Sequence, residues 1–231
     1  MPNKLHLLDP SNDLSYTYRR KYIDNFFYHY VPEIPPNSLV LDLGGQKIIK
    51  RGKFNINEFN LHVVCANLSV SKGTDVINDA ISLPFMEESF DAVICAELLE
   101  HVFKPELVLR EIYRVLKIEG KLLVTVPFLY RIHADPDDFG RYTNTFWWLV
   151  LNEVGYRDIK IEKQGFYYSV LADFIKQYVV EHPSPPILGR IYNQAVKLII
   201  KRMIAAEQKT MSPDNSFLQS FTTGFGIITK K

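Results

Sequence analysis

The 231-residue chain has only two cysteines and almost no charge imbalance, with 27 Lys and Arg against 26 Asp and Glu. A net charge of +1 creates no long-range field to recruit a polyanion, so nucleic acid is not an expected partner. Cys65 and Cys95 fall in the apolar runs "LHVVCA" and "DAVICA", which predicts buried free thiols in a reducing compartment rather than a redox pair. No zinc-type spacing of cysteine and histidine occurs, and no metal is expected. No apolar run reaches the length of a membrane span, and Met1–Pro10 has no signal-peptide pattern; both point to a cytoplasmic location. Internal repeats are absent, and so is the G-x-G-x-x-G of nicotinamide-binding folds.

What is present is enough apolar material, 47% of residues, for the core of one α/β domain. "SYTYRRKYIDNFFYHYV" (15–31) reads as an aromatic-rich helix, stopped by "PEIPPNS". Short apolar runs at 39–45, 61–69, 89–97 and 121–128, with a brief one in "TDVINDA", read as strands. "KPELVLREIYRVLKIEG" reads as a helix with Leu107, Ile112 and Leu116 at helical spacing and Gly120 as its stop. "NTFWWLVLNEVGY" is a further helix ending at Gly155, "RDIKIEKQ" a sixth strand and "SFTTGFGIITKK" a seventh. Strands alternating with helices predict a parallel sheet with right-handed crossovers. The long stretch between strands six and seven exceeds an ordinary connection. Its second half, 187–206, reads as a basic amphipathic helix. Arg190, Lys197, Lys201 and Arg202 form a polar stripe, and Leu188, Ile191, Ala195 and Leu198 the opposite, packed face. The same helix is a candidate for peripheral membrane contact, against the plainer reading of a packed helix with a solvated face.

Two stretches carry chemistry. "DLGG" closes the first strand with two glycines, which let a ligand approach backbone amides. "PFLYRIHADPDDFGRYT" (127–143) leaves the fifth strand with one His, three Asp, two Arg and two Tyr, an unusual density of hydrogen-bonding groups.

Residues 39 to about 165 resemble the class I S-adenosylmethionine-dependent methyltransferases. The likeness rests on "NDAISLPF", "SFDAVI", "LLEHV" and "RVLKIEG" following "LVLDLGG" in the family's order. It implies a Rossmann-like seven-stranded sheet, mostly parallel with one antiparallel last strand, and helices on both faces. It also implies a single domain over 1–231: a lid helix at 15–31, a core at 39–165, a helical insertion at 166–220 and the last strand at 221–231. The implied cofactor is S-adenosyl-L-methionine, over the ends of strands one, two and four. Asp42, Gly44 and Gly45 match the positions under its methionine half. Asp79 and Ala80 match those facing adenine. Cys95, Ala96 and Glu97 end strand four near the sulfonium. Two departures stand out: the glycine motif is reduced to "GGQKI", followed by a short, interrupted helix, and Asn67 replaces the usual acid at the ribose, where its amide oxygen can accept one hydroxyl.

The loop 127–143 then springs from beside the methyl donor, and it also looks like a narrower signature of bacterial enzymes associated with surface polysaccharide and glycolipid synthesis. His133 is the candidate base for a hydroxyl acceptor, with His101 of "LEHV" its rival. Asp135 or Asp138 would orient the base or hold acceptor hydroxyls, Arg141 would clamp an anionic group, Tyr142 would stack on a sugar ring, and Tyr130 belongs to the same signature. The plainer alternatives are an Asp138–Arg141 ion pair that pins the loop, a helix cap from Thr143 or Asn144, and a structural role for Glu100 with His101 as its anchor. Tyr16, Tyr18 and Arg19 are candidates to touch the acceptor from the lid helix, with Phe26 and Phe27 in the core. The expected activity is O-methylation of a sugar or glycolipid intermediate. N- or C-methylation of another small molecule, or cofactor binding without catalysis, are the alternatives.

Overall fold

The computed structural model describes residues 9–48, 52–70, 73–134, 136–183, 186–210 and 216–231, and within 186–210 the side chains from 189 onward. Among these, seven strands form one sheet: β1 (Leu39–Leu43), β2 (His62–Asn67), β3 (Val76–Ile77), β4 (Phe90–Ala96), β5 (Leu116–Pro127), β6 (Arg157–Gln164) and β7 (Gly224–Lys230). Their order across the sheet is β3-β2-β1-β4-β5-β7-β6. All neighbours are parallel except β7, which runs antiparallel to both β5 and β6. The expected mostly parallel sheet with an antiparallel last strand is therefore present. The chain order reverses at β1, which has β2 on one side and β4 on the other. In such sheets a crevice opens at the carboxyl ends of the strands at this point.

Alternation of side chains along the strands builds two cores. One face of the sheet presents Leu41, Leu43, Val93, Cys95, Leu122 and Val124 to α2 (Pro105–Val115) and α3 (Asn144–Val154) through Val108, Ile112, Trp147 and Leu151. The other presents Val40, Ala92, Ile94 and Leu123 to α1 (Tyr18–Tyr30) through Ile23, Phe26 and Phe27. The predicted core placement of Phe26 and Phe27 holds. α1 is thus a layer of the core, and it also walls the crevice. Thr143 caps α3 by accepting from Phe146 N, and Gly155 ends it with φ of 110°.

Three expectations are corrected. The helix expected to reach Gly120 stops at Val115, and Leu116 is already extended. Strand pairing then jumps from Phe90–Leu116 to Ala92–Lys121, so residues 117–120 bulge opposite Asp91 alone. Glu119 takes φ of 62° and Ile118 points to solvent, which ends any helical continuation. Second, among the described residues no α-helix follows the double glycine; a single 3-10 turn, Ile56–Glu58, precedes β2. The segment is held instead by Asp24 of α1, which accepts from Lys53 N (2.8 Å), Phe54 N (3.1 Å) and the Tyr16 hydroxyl (2.5 Å).

Third, the long insertion does form helices, α4 (Tyr167–Glu181) and α5 (Pro186–Thr210), but α5 packs through the face opposite to the one expected. Val196 and Ile200 are buried against Tyr18 and Ala172, whereas Ile191 and Leu198 are 71% and 52% exposed. The side chain of Leu188 lies outside the described residues. The buried Glu207 explains the choice of face, because it accepts from Ser169 N (2.8 Å) and from the Ser169 hydroxyl. α4 in turn fixes the start of α1. The Asp173 carboxylate accepts from Tyr18 N (2.6 Å) and Arg19 N (2.7 Å), two of the amides a helix leaves unpaired. Lys176 donates to the carbonyls of Pro10, Asp13 and Tyr16.

Candidate active site

A cavity of about 870 Å³ occupies the crevice at the carboxyl ends of β1, β2 and β4. Asp42, Gly44, Gly45 and Asn67 line it, and so do Asp79, Ala80, Ala96 and Glu97. These eight residues come from four separate chain segments, and the sheet brings all of them to one space. Gly44 turns the chain with φ of 77°, a region that favours glycine. A Cβ on Gly45 would sit 2.1 Å from Asp42 Oδ2, so the second glycine is what leaves room for that carboxylate. Asp79 steadies its own turn by accepting from Ile81 N at 3.1 Å.

Asn67 stands where expected but is engaged differently. Its amide nitrogen donates to Gly44 O (2.9 Å) and Gly45 O (2.8 Å), and its oxygen accepts weakly from Ser69 N (3.4 Å). Two carbonyl acceptors demand an amide donor there. Asn67 therefore clamps the glycine turn, and an Asp at this position would oppose both carbonyls.

Glu97, directly after β4, has φ of 51°, a strained backbone for a non-glycine residue. Burial pushes its carboxyl up, but the Arg19 guanidinium outweighs this and holds it below the usual carboxylate range. Arg19 bonds both Glu97 oxygens and also Gln164 Oε1. At 2% exposure it is a buried strap from α1 to β4 and β6, which corrects its expected contact with an acceptor. Tyr16 is likewise turned away: its hydroxyl is committed to Asp24, and burial with that carboxylate raises its pKa. Tyr18 is buried, with its hydroxyl against that of Ser11.

The loop after β5 folds back on the 3-10 turn Leu99–His101. Phe139 N donates to Glu100 O (2.8 Å), and the His101 ring Nδ1 meets Asp137 O at 2.6 Å. Arg141 forms a two-pronged pair with Asp138 and donates to Arg131 O (3.1 Å) and Gly140 O (2.9 Å). Asp138 also accepts from His133 N at 2.8 Å, and the Arg141 bonds drop its pKa to about 2. The pair pins the loop, so Arg141 is not presented as a clamp for an anion. Tyr142 stacks on Phe146 at 4.2 Å and edges onto Trp147, which removes it as a platform for a sugar. Asp135 lies outside the described residues.

Of the two candidate bases, His101 is on the cavity wall and His133 is not. The imidazoles pack edge to face with centroids 5.1 Å apart, and Tyr130 lies 5.6 Å from His133 on its other side. Burial pushes the His133 pKa down. Beneath them Glu100 is 2% exposed, and neither of its carboxylate oxygens has a hydrogen-bond partner. Burial first, and the neighbouring Glu97 second, push its pKa up to about 8. The thiol of Cys95 is buried and raised by the same desolvation.

Sequence reasoning expected a lid helix here but missed which of its residues form this wall. Arg20, Ile23, Asp24 and Phe27 all face the cavity. One signal was available: Asp24 is the sole acidic residue of α1, and it sits between Ile23 and Phe27 on the buried side of the helix.

Residues 55–124 match a methyltransferase domain family. Over 115 residues the chain is 29% identical to the ubiquinone/menaquinone biosynthesis C-methyltransferase of Stenotrophomonas maltophilia, covering 42% of this chain and 46% of that protein. Over 100 residues it is 33% identical to an uncharacterized protein of Methanocaldococcus jannaschii, covering 43% of this chain and 35% of that one. The matched segments thus span less than half the length of these two relatives. In structure it is similar to an S-adenosylmethionine-dependent methyltransferase from Archaeoglobus fulgidus, with a TM-score of 0.56 and 17% identity over 92% of this chain and 94% of the other. With the strand order, the antiparallel β7 and the crevice at β1 and β4, these likenesses show the Rossmann-like fold of S-adenosylmethionine-dependent methyltransferases, with a methyltransferase-domain match over residues 55–124.

Proposed function

We propose that the chain binds S-adenosylmethionine in the 870 Å³ cavity and methylates a hydroxyl of a small saccharide or glycolipid intermediate of bacterial surface polysaccharide synthesis. The observation that carries the cofactor half is the convergence of Asp42, Gly44, Gly45, Asn67, Asp79, Ala80, Ala96 and Glu97 on one space. Asp79 accepts from the adenine amine, and the glycine turn admits the methionine half. In the transfer the sulfur–methyl bond breaks, its electron pair stays on sulfur to give S-adenosylhomocysteine, and an oxygen–methyl bond forms. The acceptor must also lose a proton, and His101 with His133 behind it is the catalytic pair on that side of the cavity. Tyr130 lines the approach beside His133. Asp138 and Arg141 act through the loop they hold.

The exposed row Ile191, Ala195 and Leu198 of α5, flanked by Arg190, Lys201 and Arg202, supports contact with an anionic bilayer, where a lipid-linked acceptor would reside. No described helix is long and apolar enough to cross a membrane.

Incubation with methyl-labelled cofactor and a panel of nucleotide sugars and lipid-linked saccharides tests the proposal. Label on a sugar oxygen is expected. The likeness to a C-methyltransferase favours, as the second reading, a carbon acceptor on another small molecule. Label found on carbon would establish it in place of the first. Tight cofactor binding with no transfer to any acceptor class would reduce the chain to a binding protein.

A further inference from the structure

We infer that Glu100, His101 and His133 form a binding site for a divalent first-row cation, whose open position faces the cavity and receives the acceptor oxygen. One ligating atom from each of these residues lies within 4.8 Å of the others. His101 Nε2 is 3.6 Å from Glu100 Oε1, close to the edge of about 3.4 Å that bonds of about 2.1 Å give a tetrahedral ion. The wider separations would close by a small shift of the His133 side chain, which is 23% exposed.

Two further observations point to a ligand. The Glu100 carboxylate is buried with both oxygens unpaired, a costly arrangement that an ion would relieve. Both imidazoles also have their second nitrogen taken by a backbone carbonyl. His101 Nδ1 meets Asp137 O at 2.6 Å, and His133 Nδ1 meets Arg131 O at 3.2 Å. A carbonyl can only accept, so each Nδ1 carries the proton and each Nε2 keeps its lone pair. This second bond is the support that metal-binding histidines regularly have. Glu97 is already neutralised by Arg19, so it does not compete for the ion. Two imidazole nitrogens and one carboxylate suit a borderline cation such as Zn²⁺, Co²⁺ or Fe²⁺ better than Mg²⁺ or Ca²⁺. Three protein ligands leave a position for substrate.

This inference rests on the acceptor side proposed above and refines it. The cation would bind the acceptor oxygen and ease release of its proton to solvent, with the histidines held as ligands.

Chelator-treated protein titrated with Co²⁺ tests the site, read by the visible absorption of the bound ion. One equivalent should bind. Affinity should fall at least about 100-fold in His133→Ala and in Glu100→Gln, a change larger than loss of a supporting bond alone would give. Asp79→Ala, on the adenine side, should bind Co²⁺ unchanged. If the intact protein takes up no Co²⁺, Zn²⁺ or Mn²⁺, or if His133→Ala and Glu100→Gln bind as it does, the inference is wrong. Glu100→Gln preserves shape, and its melting temperature separates loss of ligand from loss of fold. Calorimetry with S-adenosylhomocysteine reads the cofactor site independently. Cobalt uptake without nucleoside binding upholds the cation site and sinks the methyltransferase reading. Nucleoside binding without cobalt uptake does the reverse.

Discussion

Asn67 illustrates how one side chain can keep its place and change its task. Its amide is the donor that two glycine carbonyls require, and a carboxylate there would leave both unpaired and face them with negative charge. Asn67→Asp is therefore expected to weaken S-adenosylhomocysteine binding and lower stability by about 1–3 kcal/mol each. Calorimetry and a thermal melt check this, and tighter binding in the variant would mean the amide faces the ribose instead. The same logic separates the loop residues. Asp138 and Arg141 spend their hydrogen bonds on each other and on loop carbonyls. Arg141→Lys should therefore loosen the loop, because an ammonium cannot reproduce the two-pronged pair.

Where α1 meets α4, a buried acid and a buried lysine take the part of a cap. Burial raises the Asp173 pKa from 3.8 to about 6, so the fold holds this proton to higher pH than the unfolded chain. Its contribution is greatest below pH 3.8 and is lost as pH rises to about 6. Burial lowers the Lys176 pKa from 10.5 to about 8, so the unfolded chain takes up that proton first, and stability falls as pH drops through this window. Melting temperature against pH should show both slopes. Asp173→Asn should flatten the acid one and Lys176→Met the alkaline one, at some cost in overall stability. On α5 the two apolar rows differ in consequence. Ile200→Ala should cost about 2–5 kcal/mol, whereas the exposed Leu198→Glu should stay within about 0.5 kcal/mol of the parent. Equal losses in urea melts would mean that both rows are packed.

For the molecule as a whole, the cavity draws residues from β1, β2, β4 and α1 together with the turn after β3, so a ligand in it ties the sheet to its first helix. Ligand at about 100 times its dissociation constant stabilises a fold by about 2.7 kcal/mol. At about 2–4 °C per kcal/mol for a chain of this size, S-adenosylhomocysteine should raise the melting temperature by about 5–11 °C. Asp79→Ala, which removes the proposed adenine acceptor, should shrink that shift. An unchanged shift would move the adenine elsewhere in the cavity.

The strands, α1, α3 and the double glycine are local, and they were legible in the sequence because period-two and period-3.6 patterns, a cap such as Thr143 and a stop such as Gly155 act over a few residues. The convergence of the eight cofactor candidates on one cavity was legible too, through motif order, since a sheet of this topology brings strand ends together wherever they lie in the chain. The rest depended on partners distant in sequence. The end of α2 was decided by the pairing of Leu116 with Phe90 of β4, which drew it into the sheet. α5 carries apolar residues on two sides, and no local pattern chooses between them; the choice came from the contact of Glu207 with Ser169, 38 residues away. Arg19 and Glu97 are 78 residues apart, and nothing local marks them as a pair. The cluster of Glu100, His101 and His133 joins two loops, so no ligand spacing within either one discloses it. Periodicity and turn chemistry are short-range and can be read in order along the chain. The pairing of buried charges is settled only when packing removes water and leaves each of them a single neighbour.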